Sequence, residues 1–293
     1  MKRILTICLL IFAIFLLHGC SLSDGMVKIM ANIGFNPVIG HTTRADESVP
    51  FPADRSFKVW ALNTSDGSMV LNNEEIRHGA DGWLSGREWP EAELDFVAYW
   101  PLNVGVEYAK GNNISINGFG NDDVDLLVAF EKAEYNSDSL VVLHFEHILS
   151  RVEFRIKHSL YDNMEIELER IVLDGYGKKG NYSGEAGNHN WRLVSDGESK
   201  VIYDSKEGAS FNLTKEAQYI GSSFNTIPQG CENAEITVEY KVKTGGGEWI
   251  HDSMTTTKLK TDWESGKQYT YTLNITESKL KFTTGISNWN NRM

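Results

Sequence analysis

From residue 27 onward the chain is patterned with a period of two. Val27, Ile29, Ala31, Ile33 and Phe35 alternate with Lys28, Met30, Asn32, Gly34 and Asn36. The alternation returns in Phe57, Val59 and Ala61, then in Leu94, Phe96, Ala98 and Trp100. It returns again in Ile236, Val238, Tyr240 and Val242, and in Tyr269, Tyr271, Leu273 and Ile275. Successive side chains of an extended chain point to opposite sides, so each run predicts a strand with one buried face. Turn formers separate the runs: Ser65-Asp66-Gly67, Asp81-Gly82, Gly111-Asn112-Asn113, Asp174-Gly175, Gly245-Gly246-Gly247 and Glu264-Ser265-Gly266-Lys267. No comparable helical period stands out in this part of the chain. The pattern predicts an all-β protein built of sandwiches.

One run changes phase. Leu143, Phe145, His147 and Leu149 occupy odd positions, whereas Val152, Phe154 and Ile156 occupy even ones. The change near Ser150-Arg151 is what an inserted bulge residue produces. On that phase His147 points inward, as a ligand or catalytic imidazole or as a buried, hydrogen-bonded one. The second is favoured, because buried polar groups normally have partners and no companion site stands nearby in sequence. Tyr135-Asn136-Ser137-Asp138 offers the best break, dividing the chain into residues 45–137 and 138–293, with the strand 27–38 completing the first part. Gly177 to Gly187 is polar and reads as a loop.

The first residues change the picture. Lys2-Arg3 precede an apolar run from Ile4 to Leu17, followed by Leu17-His18-Gly19-Cys20. A basic start and a short apolar run form the layout of a secretory signal peptide over residues 1–19. The run, about fourteen residues, is short of the roughly twenty that cross a bilayer. Leu-His-Gly-Cys resembles the lipobox of bacterial lipoproteins. That resemblance implies cleavage between Gly19 and Cys20 and lipid on Cys20, leaving residues 20–44 as a lipidated prosegment. Ser21, where an Asp would signal inner-membrane retention, favours the outer membrane. The alternative is an ordinary signal peptide with an incidental cysteine.

Composition narrows the chemistry. A net charge of -12 argues against nucleic acid, whose phosphates would be repelled. Of three cysteines, Cys8 leaves with the signal and Cys20 carries lipid, so Cys231 has no partner and reads as unreactive. Gly-x-Ser-x-Gly, His-Glu-x-x-His and phosphate-cradling loops are absent, and no enzyme activity or cofactor is expected. His144 and His147 project to opposite faces of a strand, which suits no shared metal. Asp122, Asp123 and Asp125 lack the glycine and terminal Glu of a calcium loop and read as a solvated turn. Trp83, Trp89, Trp100, Trp191 and Trp249 could be stacking platforms for glycans, or core packing.

Several segments, in order along the chain, resemble the fimbrillin family of Bacteroidetes. They are Ser56-Phe57-Lys58-Val59-Trp60-Ala61, Leu94-Asp95-Phe96-Val97-Ala98-Tyr99-Trp100-Pro101, Asp125-Leu126-Leu127-Val128-Ala129 and Leu143 to Val152. Ile227-Pro228-Gln229, Trp263 to Tyr271 and Ile286-Ser287-Asn288-Trp289 continue the series. The resemblance implies two tandem transthyretin-like Greek-key β-sandwiches, outer-membrane export as a surface-exposed lipoprotein, and assembly into an adhesive fimbrium with other fimbrial subunits. It also implies that a trypsin-like protease cuts between Arg44 and Ala45. Loss of the first strand, with Val27, Ile29, Ala31, Ile33 and Phe35, would open a groove for another subunit's strand. The alternative for Arg44 is a solvated loop residue. Lys279 to Thr283 and Ile286 to Trp289 are candidate donor segments, or the last strand of the second sandwich; stalk, tip and anchor roles all stay open. The alternative function is a non-polymerising lipoprotein that binds a surface glycan or host protein.

Overall fold

The computed structural model describes residues 32–40, 48–109, 111–120, 124–135, 140–195, 197–207, 210–256, 258–259 and 262–289. Among them every regular element is a strand.

The first half contributes β1 (Asn32–Ile39), β2 (Val49–Pro50), β3 (Ser56–Asn63), β4 (Met69–Gly79) and β5 (Gly82–Glu88). It continues with β6 (Leu94–Trp100), β7 (Val106–Ala109), β8 (Asn113–Phe119), β9 (Leu127–Ala133) and β10 (Val141–His147). Its main sheet runs β10-β9-β6-β3-β4-β5-β1-β2, and β1 also pairs with β10. The ladder therefore closes on itself through β1, with β4 and β10 shared between the two faces of a flattened sandwich. The alternating residues meet inside: Ile33, Phe35, Phe57, Val59, Leu94, Phe96, Leu143 and Phe145 are all buried.

The second half contributes β11 (Ser150–His158), β12 (Met164–Tyr176), β13 (Gly180–Glu185), β14 (Asn188–Leu193), β15 (Glu198–Asp204) and β16 (Phe211–Asn212). β17 (Gln218–Thr226), β18 (Glu235–Thr244), β19 (Ile250–Thr255), β20 (Lys267–Ile275) and β21 (Leu280–Asn288) follow. Two sheets, β17-β11-β20-β21 and β15-β12-β18-β19, face each other across a core that includes Phe154, Leu168, Ile236, Val238, Trp263 and Tyr271. The sheets change over at Ile148-Leu149, so β10, C-terminal to the expected break, pairs within the first sheet. The phase change near Ser150 is thus the gap between two strands of different sheets, not a bulge within one.

A further sheet, β14-β13-β8-β7, takes one hairpin from each half. The expected loop over Gly177 to Gly187 contains β13, which pairs with β8 across Tyr182↔Ile116 and Ser183↔Ser115. Tyr182, buried among Trp60, Val97, Tyr99 and Val128, anchors it. The Tyr182 hydroxyl lies 2.7 Å from Nδ1 of His189, whose Nε2 lies 3.0 Å from Glu146. Burial pushes that phenol far above its usual range, so it stays protonated.

Candidate functional site

The feature with the most consequence is the slot that holds β1. On one side β1 runs parallel to β10 from Phe35↔Val141 to Ile39↔Phe145. On the other it pairs antiparallel with β5 at Gly34↔Leu84 and Phe35↔Trp83, and with β2 at Ile39↔Val49. Neighbouring bonds extend the ladder: Gly40 donates its N–H to Phe145 at 3.0 Å, and Ser85 donates its hydroxyl to the Ile33 carbonyl at 3.1 Å. Taking β1 away would leave unpaired backbone on both β10 and β5, which costs free energy unless another strand or water replaces it.

The side chains point the same way. Ile33, Phe35 and Ile39 are at most 2% exposed. Phe35 meets Phe57 and Phe96 edge-on, with ring centroids 5.8 and 5.9 Å away. At roughly 2 kcal/mol per fully buried large apolar side chain, these three contribute about 6 kcal/mol to holding the strand. Gly34 sits beneath two leucines: a Cβ built there would lie 2.6 Å from Leu140 Cδ2 and 3.0 Å from Leu84 Cδ2. A strand occupying this slot must therefore present a small residue at that register, or push those leucine tips aside.

Gly19, Cys20, Val27, Ile29, Ala31, Arg44 and Ala45 lie outside the described residues. The described strand reaches Ile39, past the end at residue 38 that alternation predicted. Residues 41–47 connect β1 to β2, with which it is paired. The other end of the chain is engaged as well. Lys279 to Thr283 and Ile286 to Asn288 lie in or next to β21, which pairs with β20 from Lys267↔Asn288 to Ile275↔Leu280. Trp289 follows, 5% exposed at the junction of the halves, with its N–H donated to Gly266 at 2.8 Å.

That junction explains the remaining candidates. His147 is buried, with its Nδ1 2.9 Å from an Asp125 carboxylate oxygen and its ring stacked on Trp289 with centroids 3.9 Å apart. Asp125 is therefore not a solvated turn residue, while Asp122 and Asp123 lie outside the described residues. The His147 Nε2 has no hydrogen-bond partner among the described residues. His144 pairs separately with Glu131 at 2.7 Å. Among the described residues no group of three His, Cys, Asp or Glu could hold a metal. Cys231 is buried, and burial raises its thiol to about 12, so it is protonated and weakly nucleophilic at neutral pH.

The tryptophans are occupied. Trp83 and Trp89 are in the first core, and Trp191 donates its indole N–H to Ile148 at 2.7 Å. The Arg55 guanidinium lies 4.8 Å over Trp100, and Lys241 and Lys243 lie 5.1 and 4.7 Å over Trp249. Gln229, in one of the segments that carry the family resemblance, accepts from the Gly177 N–H at 2.6 Å and donates to the carbonyls of Gly177 and Ile227. Nothing in its local pattern announces that role.

Comparison with known proteins agrees with this architecture. A fimbrial protein from Bacteroides vulgatus superposes with a TM-score of 0.66 at 16% identity, covering 88% of this chain and 99% of its own. A protein assigned to cell adhesion from Bacteroides ovatus gives 0.55 at 16% identity, covering 90% and 99%. Another so assigned, from Parabacteroides distasonis, gives 0.51 at 7% identity, covering 90% and 98%. At such identities the likeness carries the fold. None of the curated proteins matches. The fimbrillin-like family matches residues 43–289, which is most of the chain and leaves β1 just outside the match. With the β-sandwich architecture and that match together, the chain belongs to the fimbrillin-like family.

Proposed function

We propose that this protein is a subunit of an adhesive surface fibre, exported as an outer-membrane lipoprotein on Cys20 and assembled by strand exchange. Cleavage between Arg44 and Ala45 severs the segment carrying β1, and a strand from another fimbrial subunit takes its slot. The observation that carries this reading is the position of β1. It closes the first sheet by pairing on both sides, yet it joins the rest of the chain only through residues 41–47. The family match, which begins at residue 43, supports a functional unit that starts after β1. An arginine suits a trypsin-like protease, whose specificity pocket carries an acid. After cleavage Cys20 no longer tethers the domains, so the lipid acts as a delivery handle; if Arg44 stays intact, it is a permanent anchor.

β21 bears on the subunit's place in the fibre. To donate Lys279 to Thr283, the chain must strip β21 from β20 and withdraw Trp289 from the junction. Acceptance through the β1 slot also requires β1 to leave its partners, but there cleavage after Arg44 severs the departing strand from the domains, which supports the accepting role of a capping or accessory subunit.

The test is to treat the purified protein with a trypsin-like protease and follow cleavage and assembly. Cutting after Arg44, with loss of the β1 segment and capture of a strand from another subunit or a strand peptide, is the expected result, abolished in Arg44→Ala. A chain that resists at Arg44, or that is cut and captures no strand, rules the mechanism out.

A further inference from the structure

The outer face of the sheet β17-β11-β20-β21 differs in charge from the molecule as a whole. The chain carries a net charge of -12. On β11 the outward positions between buried Val152, Phe154 and Ile156 are Arg151, Glu153, Arg155 and Lys157. Register sets them in rows across the sheet: Lys157, Asn274 and Lys281 form one, and Arg155, Thr272 and Thr283 the next. Glu153, the one carboxylate at the outward positions of these three strands, is taken by the Thr270 hydroxyl at 2.6 Å. The first row opens into a groove of about 500 Å³ bordered by Lys157, Lys279 and Lys281. None of these three lysines takes part in an ion pair among the described residues. At the far edge Tyr219 is 59% exposed, with the Arg155 guanidinium 4.6 Å over its ring.

We propose that this face binds an anionic polysaccharide. Uronate or sulfate groups pair with Lys157, Lys279 and Lys281, and sugar hydroxyls are hydrogen-bonded by Thr272, Asn274 and Thr283. Unpaired cations on an otherwise acidic protein create a local potential that attracts a polyanion here, while the remaining surface repels it. A protein partner is the poorer fit. Protein interfaces are built around an apolar, aromatic centre, whereas the outward positions here are hydroxyls, amides and cations; Leu280 and Phe282 also line the groove but pack against the second core, and Tyr219 lies at the border. The site lies in a different sheet from β1 and stands whether or not strand exchange occurs.

The experiment measures binding of the purified protein to immobilised polygalacturonate and heparin, with dextran and polyglutamate alongside. At least one acidic polysaccharide is expected to bind at about 50 mM salt and weaken by about 300 mM, as exposed charges are screened. K157Q/K279Q/K281Q is expected to lose about tenfold in affinity. K178Q/K179Q/K206Q, with the same charge removed elsewhere, keeps wild-type binding, and circular dichroism confirms that both variants fold. Thr283→Val, with every charge intact, weakens the polysaccharide and not the dextran baseline. The proposal is overturned if no polysaccharide binds or if both triple variants lose equally. It is also overturned if polyglutamate binds as tightly, or if the groove lysines instead drive salt-sensitive self-association.

Discussion

The two halves of the molecule complete their sheets with strands from opposite ends of the described chain and hold them differently. β1 is bonded on both sides and buries Ile33, Phe35 and Ile39. β21 is bonded on one side only, buries Leu280 and half-buries Phe282 against Tyr271, and has Trp289 fixing its end in the junction. A doubly paired strand is a keystone, and its loss opens two edges at once. A singly paired one is an edge, and its loss moves the edge inward by one strand. The contrast teaches that structural centrality and covalent connection are separate properties. β1 is central to packing and peripheral to the chain, which suits replacement by a foreign strand.

Substitutions sharpen this contrast, the largest effect first. Phe35→Ala removes a fully buried ring with two edge-on aromatic contacts and is expected to destabilise the first half by about 4 kcal/mol, read from its unfolding midpoint in denaturant. Trp289→Ala is expected to cost about 3 kcal/mol and to release β21, seen as faster amide exchange in β20 and β21 with β1 protection unchanged. If it loosens both halves equally, the junction couples them more tightly than this contrast implies. Gly34→Val meets the tips of Leu140 and Leu84, both exposed and free to move, so the expected cost is small, up to about 1 kcal/mol, and Leu140→Ala relieves it.

The smallest effect is a pH dependence confined to the second half. Burial lowers the pKa of His158, and its Nδ1 accepts the Leu160 N–H at 3.3 Å, which requires the neutral ring. Lys215 lowers it further. A folded pKa below the unfolded value means that this stability is present above about pH 6.5 and lost as pH falls through the lower folded value. Thermal unfolding of His158→Asn between about pH 7 and 5 is expected to lack that part of the decline.

How much of this was legible in the sequence depends on the kind of contact. Strands that pack against a core declare themselves by alternation, as Ile33 and Phe35, Leu94 to Trp100 and Tyr269 to Ile275 do. The β13–β14 hairpin does not. Gly180-Asn181-Tyr182-Ser183-Gly184-Glu185 has one large buried side chain, and its partner β8 lies more than sixty positions away in sequence, as Tyr182↔Ile116 shows (182 minus 116 is 66). Local composition then reads as loop. The phase change at Ser150 was visible, but alternation alone does not separate a bulge from a passage between sheets. Asp125 and His147 stand twenty-two positions apart, and only the fold makes them a pair. The β1 slot was half legible. Its apolar face follows from period two, whereas the pairing on both sides is a property of topology.

The central claim, that β1 is a replaceable keystone, is tested most directly by amide hydrogen exchange. It would be measured on the protein before cleavage after Arg44, after removal of the freed segment, and after addition of a strand peptide. The account predicts that removal deprotects β5 and the stretch of β10 from Val141 to Phe145, that the peptide restores protection there, and that β18 and β20 stay unchanged throughout. Protection of β5 and β10 that survives the loss of β1 would contradict it.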